Sequence, residues 1–276
     1  MLPASLYMPK EALPLVDTPL INHLIWEAVR AGVERVHLIL SERKAELLDD
    51  FLGDSPVYGI EVRPDLPRSS LTPQIEGVEI KIHIQHRPRG VGDAISIALH
   101  HIDGAFLVLL GDNLLIKKHR DPAQSGPEHA SEASLELVNR FEKTGLPCAG
   151  VYLVAEEEVR KYGVVALEGG HIESIVEKPE PLESPSQFVL CGRYLFPGNT
   201  SDILNLYPDN EYGELQSIAL LDHLIENGGL EAVRLEGYEM YDSGDPMTWL
   251  KSQVDHALRR DDMGGHLEDW LRHRLE

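Results

Sequence analysis

Apolar and polar positions fall into blocks along the chain, and the period of each block predicts an element. Leu20, Leu24, Ile25 and Val29 recur at helical spacing, which puts one apolar face on a helix starting near Pro19. Pro19 suits a first turn, Thr18 is the expected cap and Gly32 the expected stop. The apolar run at 36–40 predicts a short strand, and 42–51 a helix. Residues 53–77 are rich in Pro, Gly and Ser and read as an irregular excursion or lid. Residues 79–85 (EIKIHIQ) alternate with period two, the pattern of a half-buried strand. A glycine-bearing turn at 87–92 then leads into a helix over 93–101, and the apolar run 105–110 predicts a buried parallel strand ending at Gly111-Asp112-Asn113.

A loop over 117–131, a helix over 132–143 and a strand over 149–154 continue the alternation. Strands separated by helices are the signature of a parallel α/β sheet with right-handed crossovers. The later part changes character. Strands at 164–167, 172–177 and 188–196 have little helix between them and predict an antiparallel addition. Helices return at 201–207, 214–226 and 246–259, followed by an amphipathic tail helix at 266–275. The expected organisation is one domain over 1–276, with 260–276 as a C-terminal helical tail. That tail helix is suited to pack on a second copy, which makes a homo-oligomer an expectation.

Charge narrows the function. The chain carries 25 Lys+Arg against 46 Asp+Glu, a formal net charge of −21. Nucleic acids and anionic lipid surfaces need the opposite sign, so neither is an expected partner. An anionic substrate must be held by a few placed cations or a metal, against the overall field. No apolar run approaches the ~20 residues that span a bilayer, and the N-terminus lacks the order of a secretory signal. Cys148 and Cys191 lie in apolar, strand-like runs with no motif spacing. They read as inert buried thiols in a reducing cytoplasm.

Four segments can carry chemistry. In LVLLGDNLL (107–115) Asp112 closes an apolar strand, and ligands of open α/β sheets bind at such ends. Mg²⁺ takes one or two carboxylates plus substrate phosphates, although a strand-to-loop turn with an Asx cap also explains Gly111-Asp112. In MYDSGDP (240–246) Asp245 is placed to cap the next helix, which leaves Asp242 without a structural task and makes it the better metal candidate. In VEKP (176–179) Glu177 and Lys178 sit before a proline, on extended backbone that should point them to opposite faces. A carboxylate for sugar hydroxyls and a cation for phosphate is one reading, a solvated strand end the other. In QHRPRGVGDA (85–94) Gly90 and Gly92 allow a ligand to approach the backbone, a weak signal by itself. The thirteen histidines are scattered, with His83/His86 and His100-His101 lacking partners at ligand spacing, and read as surface or packing residues.

Taken in order, these segments resemble the bacterial-type UTP–glucose-1-phosphate uridylyltransferases of the sugar-1-phosphate nucleotidyltransferase superfamily. The opening Pro-Lys-Glu and Leu-Pro-Leu-Val-Asp runs, QHRPRGVGDA, LLGDNL, KYGVV, IVEKPEP, SPSQFVLCGRYLF, GELQSIALLDHLI and YDSGDPMTWLKSQV follow the family's order over nearly the whole chain. The resemblance implies a Rossmann-like nucleotidyltransferase fold, with a mixed, mostly parallel sheet flanked by helices and an antiparallel addition in the second half. It implies uridylyl transfer from UTP to glucose 1-phosphate with Mg²⁺, giving UDP-glucose and pyrophosphate. Lys10 matches the signature phosphate-contacting lysine, and Gln85 and Gly90 match uracil-reading positions. Asp112 and Asp242 match the metal ligands. Gly163, Glu177 and Lys178 match the site for the sugar and its phosphate.

The chain departs from the family pattern in three places. Asp93 stands where the family has His, and Arg89 where it has Leu. The family's first strand and Gly-x-Gly-Thr-Arg loop have no counterpart before Met1-Leu2-Pro3. The expectation is that Met1 is an internal methionine of a longer natural chain. The other readings are that another segment fills the gap in a protein that binds without catalysing, or that the truncated chain folds poorly. Two alternatives to the leading function follow: a thymidylyltransferase using dTTP, and a non-catalytic sugar-nucleotide-binding protein.

Overall fold

The computed structural model describes residues 8–52, 76–207 and 216–276. The excursion expected at 53–77, the opening Met-Leu-Pro segment and the first residues of the helix expected at 214 therefore lie largely outside the described residues. Thirteen residues into the chain a tight hairpin forms from β1 (Pro14–Leu15) and β2 (Thr18–Pro19), turning through Val16 at a φ of 60°. The helix α1 (Leu20–Arg30) follows at once. Thr18 is thus a ladder residue opposite Leu15 and does not cap α1; Pro19 occupies the cap position, and the hairpin fixes the helix entry.

Two faces of α1 are apolar. Ile21 and Ile25 pack with Leu40 of β3 (Arg35–Leu40) and Leu48 of α2 (Glu42–Leu52). Leu20 and Leu24 pack instead with Leu114 and Ile116 of β6 (Asn113–Ile116), Tyr241 of β12 (Glu239–Asp242) and Trp249 of α7 (Pro246–Leu258). The strand β4 (Glu79–Ile84) pairs parallel to β3, as its alternating pattern predicts. The helix α3 (Val91–Leu99) begins two residues before the expected start, with Gly90 in the left-handed region (φ 90°) at its N-cap.

The main sheet has six strands in the order β5-β10-β7-β11-β9-β8. These are β5 (Phe106–Leu109), β7 (Cys148–Leu153), β8 (Gly163–Glu168), β9 (His171–Glu177), β10 (Phe188–Phe196) and β11 (Glu231–Arg234). A further pairing of Val189 with Val164 joins β10 to β8 and closes the circuit. β11 runs parallel to β7, while β5 and β7 both run antiparallel to β10. The strand at 105–110, expected to pair in parallel, is thus antiparallel and half-buried among its described partners. The antiparallel pair β8–β9 realises the expected addition.

Helices cover both faces, as a sheet with apolar residues on two sides requires. Ile95 of α3, Ile203 and Leu204 of α5 (Thr200–Leu204) and Leu220, Leu221 and Leu224 of α6 (Gln216–Glu226) pack on one face. Ala133 and Leu137 of α4 (Ala133–Thr144) pack on the other, against Cys148, Cys191 and Leu195. The final helix α8 (Gly264–Leu275) leaves Trp270 and Leu275 exposed. No helix among the described residues is long and apolar enough to cross a membrane.

Candidate active site

β6 and β12 form a short antiparallel ladder that the sequence pattern did not reveal, with Asn113 opposite Asp242. This register brings the two candidate carboxylates to one end of the ladder. Asp112 precedes β6, and its carbonyl accepts from the Ser243 N–H at 3.0 Å. Asp242 ends β12, and its Oδ1 accepts from the Gly244 N–H at 2.5 Å. Asp245 caps α7 as expected, accepting from the N–H groups of Met247 and Thr248. Burial raises the Asp242 pKa and the nearby Asp112 adds to it, while the Gly244 N–H and Lys10 pull the other way. A carboxylate so placed attracts a cation.

Lys10 supplies one. Its Nζ lies 2.6 Å from Asp112 Oδ2. The lysine opens a 3₁₀ turn (Lys10–Ala12) just before the β1–β2 hairpin. Gln253 of α7 clamps that hairpin, accepting from the Val16 N–H and donating to the Pro14 carbonyl, both at 2.6 Å. The next residue, Glu11, pairs with Lys44 at 2.6 Å and packs under Gly111, where an added Cβ would stand 3.2 Å from Glu11 Cγ.

Beneath the ladder lies a buried charge pair that sequence reasoning missed. Arg193 of β10 is 0% exposed and grips Glu27 of α1 with two hydrogen bonds of 2.7 and 3.0 Å. The same guanidinium donates to the Asn113 carbonyl at 2.9 Å. Ser134 of α4 completes the carboxylate's shell with its hydroxyl, 2.6 Å from Glu27 Oε1. Four elements therefore meet at one ion pair, one residue beyond Asp112. The signal was present: a lone arginine inside the apolar run FVLCGRYLF. Gly192 beside it adopts a φ of 72°, and a Cβ there would meet Leu110 Cβ at 3.0 Å.

The other expected positions form two further groups. Gln85 follows β4 and donates from Nε2 to Asp93 Oδ2 at 2.7 Å and to the Gly90 carbonyl at 3.2 Å. Asp93, the departure from the family's His, thus fixes the amide's orientation and leaves its carbonyl oxygen as an acceptor. Gly163 of β8 lies opposite Glu177 of β9, where a Cβ would come within 3.1 Å of Glu177 Oε2. Lys178 departs from the extended backbone expected before proline: its φ is 47°. That turn undoes the alternation of faces, so the Lys178 and Glu177 side chains meet at 3.4 Å rather than pointing apart.

The histidines are less scattered than their sequence spacing suggests. His37 and His83 contact each other across β3–β4 at 2.8 Å, with His101 stacked alongside. His119 and His256 approach to 3.0 Å, with His23 against His256. Neither trio has converging metal-ligand geometry among the described residues. Both cysteines are free and buried, and burial pushes each thiol up to about 12, which agrees with the reading of inert thiols.

Comparison with known proteins adds independent findings. A curated UTP–glucose-1-phosphate uridylyltransferase from Streptococcus pyogenes is 28% identical over 278 aligned positions, covering 98% of this chain and 88% of that protein. A solved UDP-glucose pyrophosphorylase from Acinetobacter baumannii aligns with a TM-score of 0.79 and 25% identity, covering 100% of this chain and 94% of that one. A UTP-bound UGPase structure from the same organism aligns with a TM-score of 0.78 and 25% identity, covering 98% and 93%. The nucleotidyl transferase family model matches residues 1–255. With the mixed sheet, the Asp112–Asp242 ladder and this match in agreement, the chain belongs to the nucleotidyl transferase family.

Proposed function

We propose that the chain transfers a uridylyl group from UTP to glucose 1-phosphate, with Mg²⁺, releasing UDP-glucose and pyrophosphate. The observation that carries this reading is the pairing of β6 with β12, which puts Asp112, Asp242 and Lys10 together at one strand end. The names of the curated relatives and the UTP-bound neighbour support the choice of nucleotide and sugar.

The donor set suits a hard divalent cation. Two carboxylates, with burial and the neighbouring Asp112 both raising the Asp242 pKa, would hold such an ion and leave room for substrate phosphate oxygens, the chemistry that Mg²⁺ favours. Mg²⁺ on Asp112 and Asp242 would neutralise charge on the substrate phosphates. Lys10 holds the nucleotide phosphates and Lys178 the sugar phosphate, while Glu177 accepts from sugar hydroxyls over the space left by Gly163. Gln85 presents its carbonyl oxygen to the uracil imide N–H, with Gly90 letting the base approach the backbone. The attacking phosphate is ionised near neutral pH, so no general base is needed and catalysis is positioning plus charge neutralisation. The free, buried cysteines suit a reducing cytoplasm.

Pyrophosphate release from glucose 1-phosphate with UTP or dTTP, measured side by side, tests the reading. The expected result is a preference for UTP of roughly tenfold or more. Equal or faster turnover of dTTP overturns the nucleotide assignment. UDP-glucose binding with no turnover of either nucleotide overturns the catalytic one.

A further inference from the structure

A second recess lies away from these residues, among α1, β6, the segment 118–131 and α7. It leaves about 40 Å³ for the centre of a water-sized molecule, where one water needs roughly 10–15 Å³. Its wall includes Trp26, His23, Arg120, Lys118, His129 and His256. None of Lys10, Gln85, Gly90, Asp112, Gly163, Glu177, Lys178 or Asp242 lines it.

Three of the wall residues hold a buried nitrogen with no hydrogen-bond partner: Trp26 Nε1, His23 Nε2 and Arg120 Nε. Trp26 is only 1% exposed, so bulk solvent does not serve its indole. Buried donors are nearly always paired, and an indole N–H or a guanidinium Nε–H can only donate. The occupant must therefore bring acceptors. Charge points the same way. Lys118 and Arg120 face the recess, while its one carboxylate, Glu27, is already taken by Arg193 and Ser134. This is a cationic recess in a chain of net charge −21. Water offers acceptors without charge; a tetrahedral oxyanion offers both.

We propose that this recess binds a small tetrahedral oxyanion: inorganic phosphate or the phosphate group of a metabolite. Leu114, Leu115 and Ile116 of β6 form part of the wall, and Asp112 directly precedes that strand. An occupant therefore bears on the strand that places the carboxylate.

The test is calorimetric titration of the full chain with inorganic phosphate, the nucleotide-sugar site being saturated with UDP-glucose. One phosphate binds per chain, and Arg120→Gln and Trp26→Phe each weaken it roughly tenfold or more, with unchanged thermal melts. Lys251→Gln, an exposed charge change on α7, leaves the affinity at the wild-type value. Glycerol 3-phosphate is titrated in parallel. Binding of both ligands supports the site and assigns it to metabolite phosphates; binding of inorganic phosphate alone supports it and assigns it to the free ion. No binding by the wild-type chain overturns the proposal, as does an affinity unchanged in both recess variants or equally weakened by Lys251→Gln. Those results leave the recess to ordered water. The variants avoid every residue assigned to uridylyl transfer, so failure here is separable from failure of that reading.

Discussion

Lys10 Nζ stands 2.6 Å from Asp112 Oδ2, joining residues 102 positions apart in the sequence. The contact is held from both sides: the hairpin after Lys10 is clamped by Gln253, and the strand after Asp112 by Arg193. Both side chains are about one-third exposed or less, at 28% and 32%, so the ion pair itself adds little stability. Its value lies in presenting a cation beside two carboxylates. Lys10→Met is predicted to lower kcat/KM for UTP roughly 100- to 1000-fold, with a melting temperature near that of wild type. Removing the lysine also takes away a cation that holds the Asp242 pKa down, so the Mg²⁺ requirement rises more steeply as pH is lowered. Steady-state kinetics over a Mg²⁺ series checks both; activity within about threefold of wild type contradicts the role.

The Glu27–Arg193 pair makes a prediction about stability. Both residues are almost fully buried, at 1% and 0% exposure. Arg193→Met strands the Glu27 charge and also removes the donor to Asn113, and breaking such a pair costs about 3–5 kcal/mol. Urea unfolding measures the loss. The double variant Glu27→Met, Arg193→Met recovers most of it, because no charge is then left buried alone. A single-variant loss below about 1 kcal/mol contradicts the assignment of this pair as the anchor of β6.

The His23, His119 and His256 group predicts how stability depends on pH. Burial lowers all three, to about 4, about 4 and about 3, with mutual repulsion and Arg260 adding to the shift at His256. Unfolded histidines titrate near 6.5, so below that pH the unfolded chain takes up protons that the native chain refuses. The contribution is complete above about pH 6.5 and is lost progressively as pH falls toward 4 and 3. Urea midpoints across this range should fall with acid, and His256→Asn should flatten the slope. A slope unchanged in that variant removes His256 from the acid sensitivity.

Much of the fold was legible because its signals are local. Period-two alternation marks β4, helical spacing marks α1, and apolar runs mark β5, β7 and β10, the last broken only by Gly192 and Arg193. The strands β6, β11 and β12 carry no such signal. Each has only four residues, and β6 and β12 find their partners 123 or more positions away, as in Ile116 with Glu239. No local period can announce such a pairing. Thr18 departs from the expected capping role for a related reason: a good capping side chain is drawn into a hairpin whose clamp, Gln253, lies at the other end of the chain. The site showed the same division. Gly-Asp-Asn and Asp-Ser-Gly-Asp were visible as motifs, but their meeting depends on the β6–β12 register. Lys178 ran against a local rule, since its left-handed backbone turns its side chain toward Glu177. Such local conflicts tend to collect at functional positions.

The proposed uridylyl transfer needs Asp112 as the charged anchor for Mg²⁺. Asp112→Asn keeps the shape and removes the charge, and its most direct readout is Mg²⁺-dependent pyrophosphate release from UTP and glucose 1-phosphate. The expected fall is roughly 1000-fold, with the variant folded and melting near the wild-type temperature. Near-wild-type release with an unchanged Mg²⁺ dependence would contradict it.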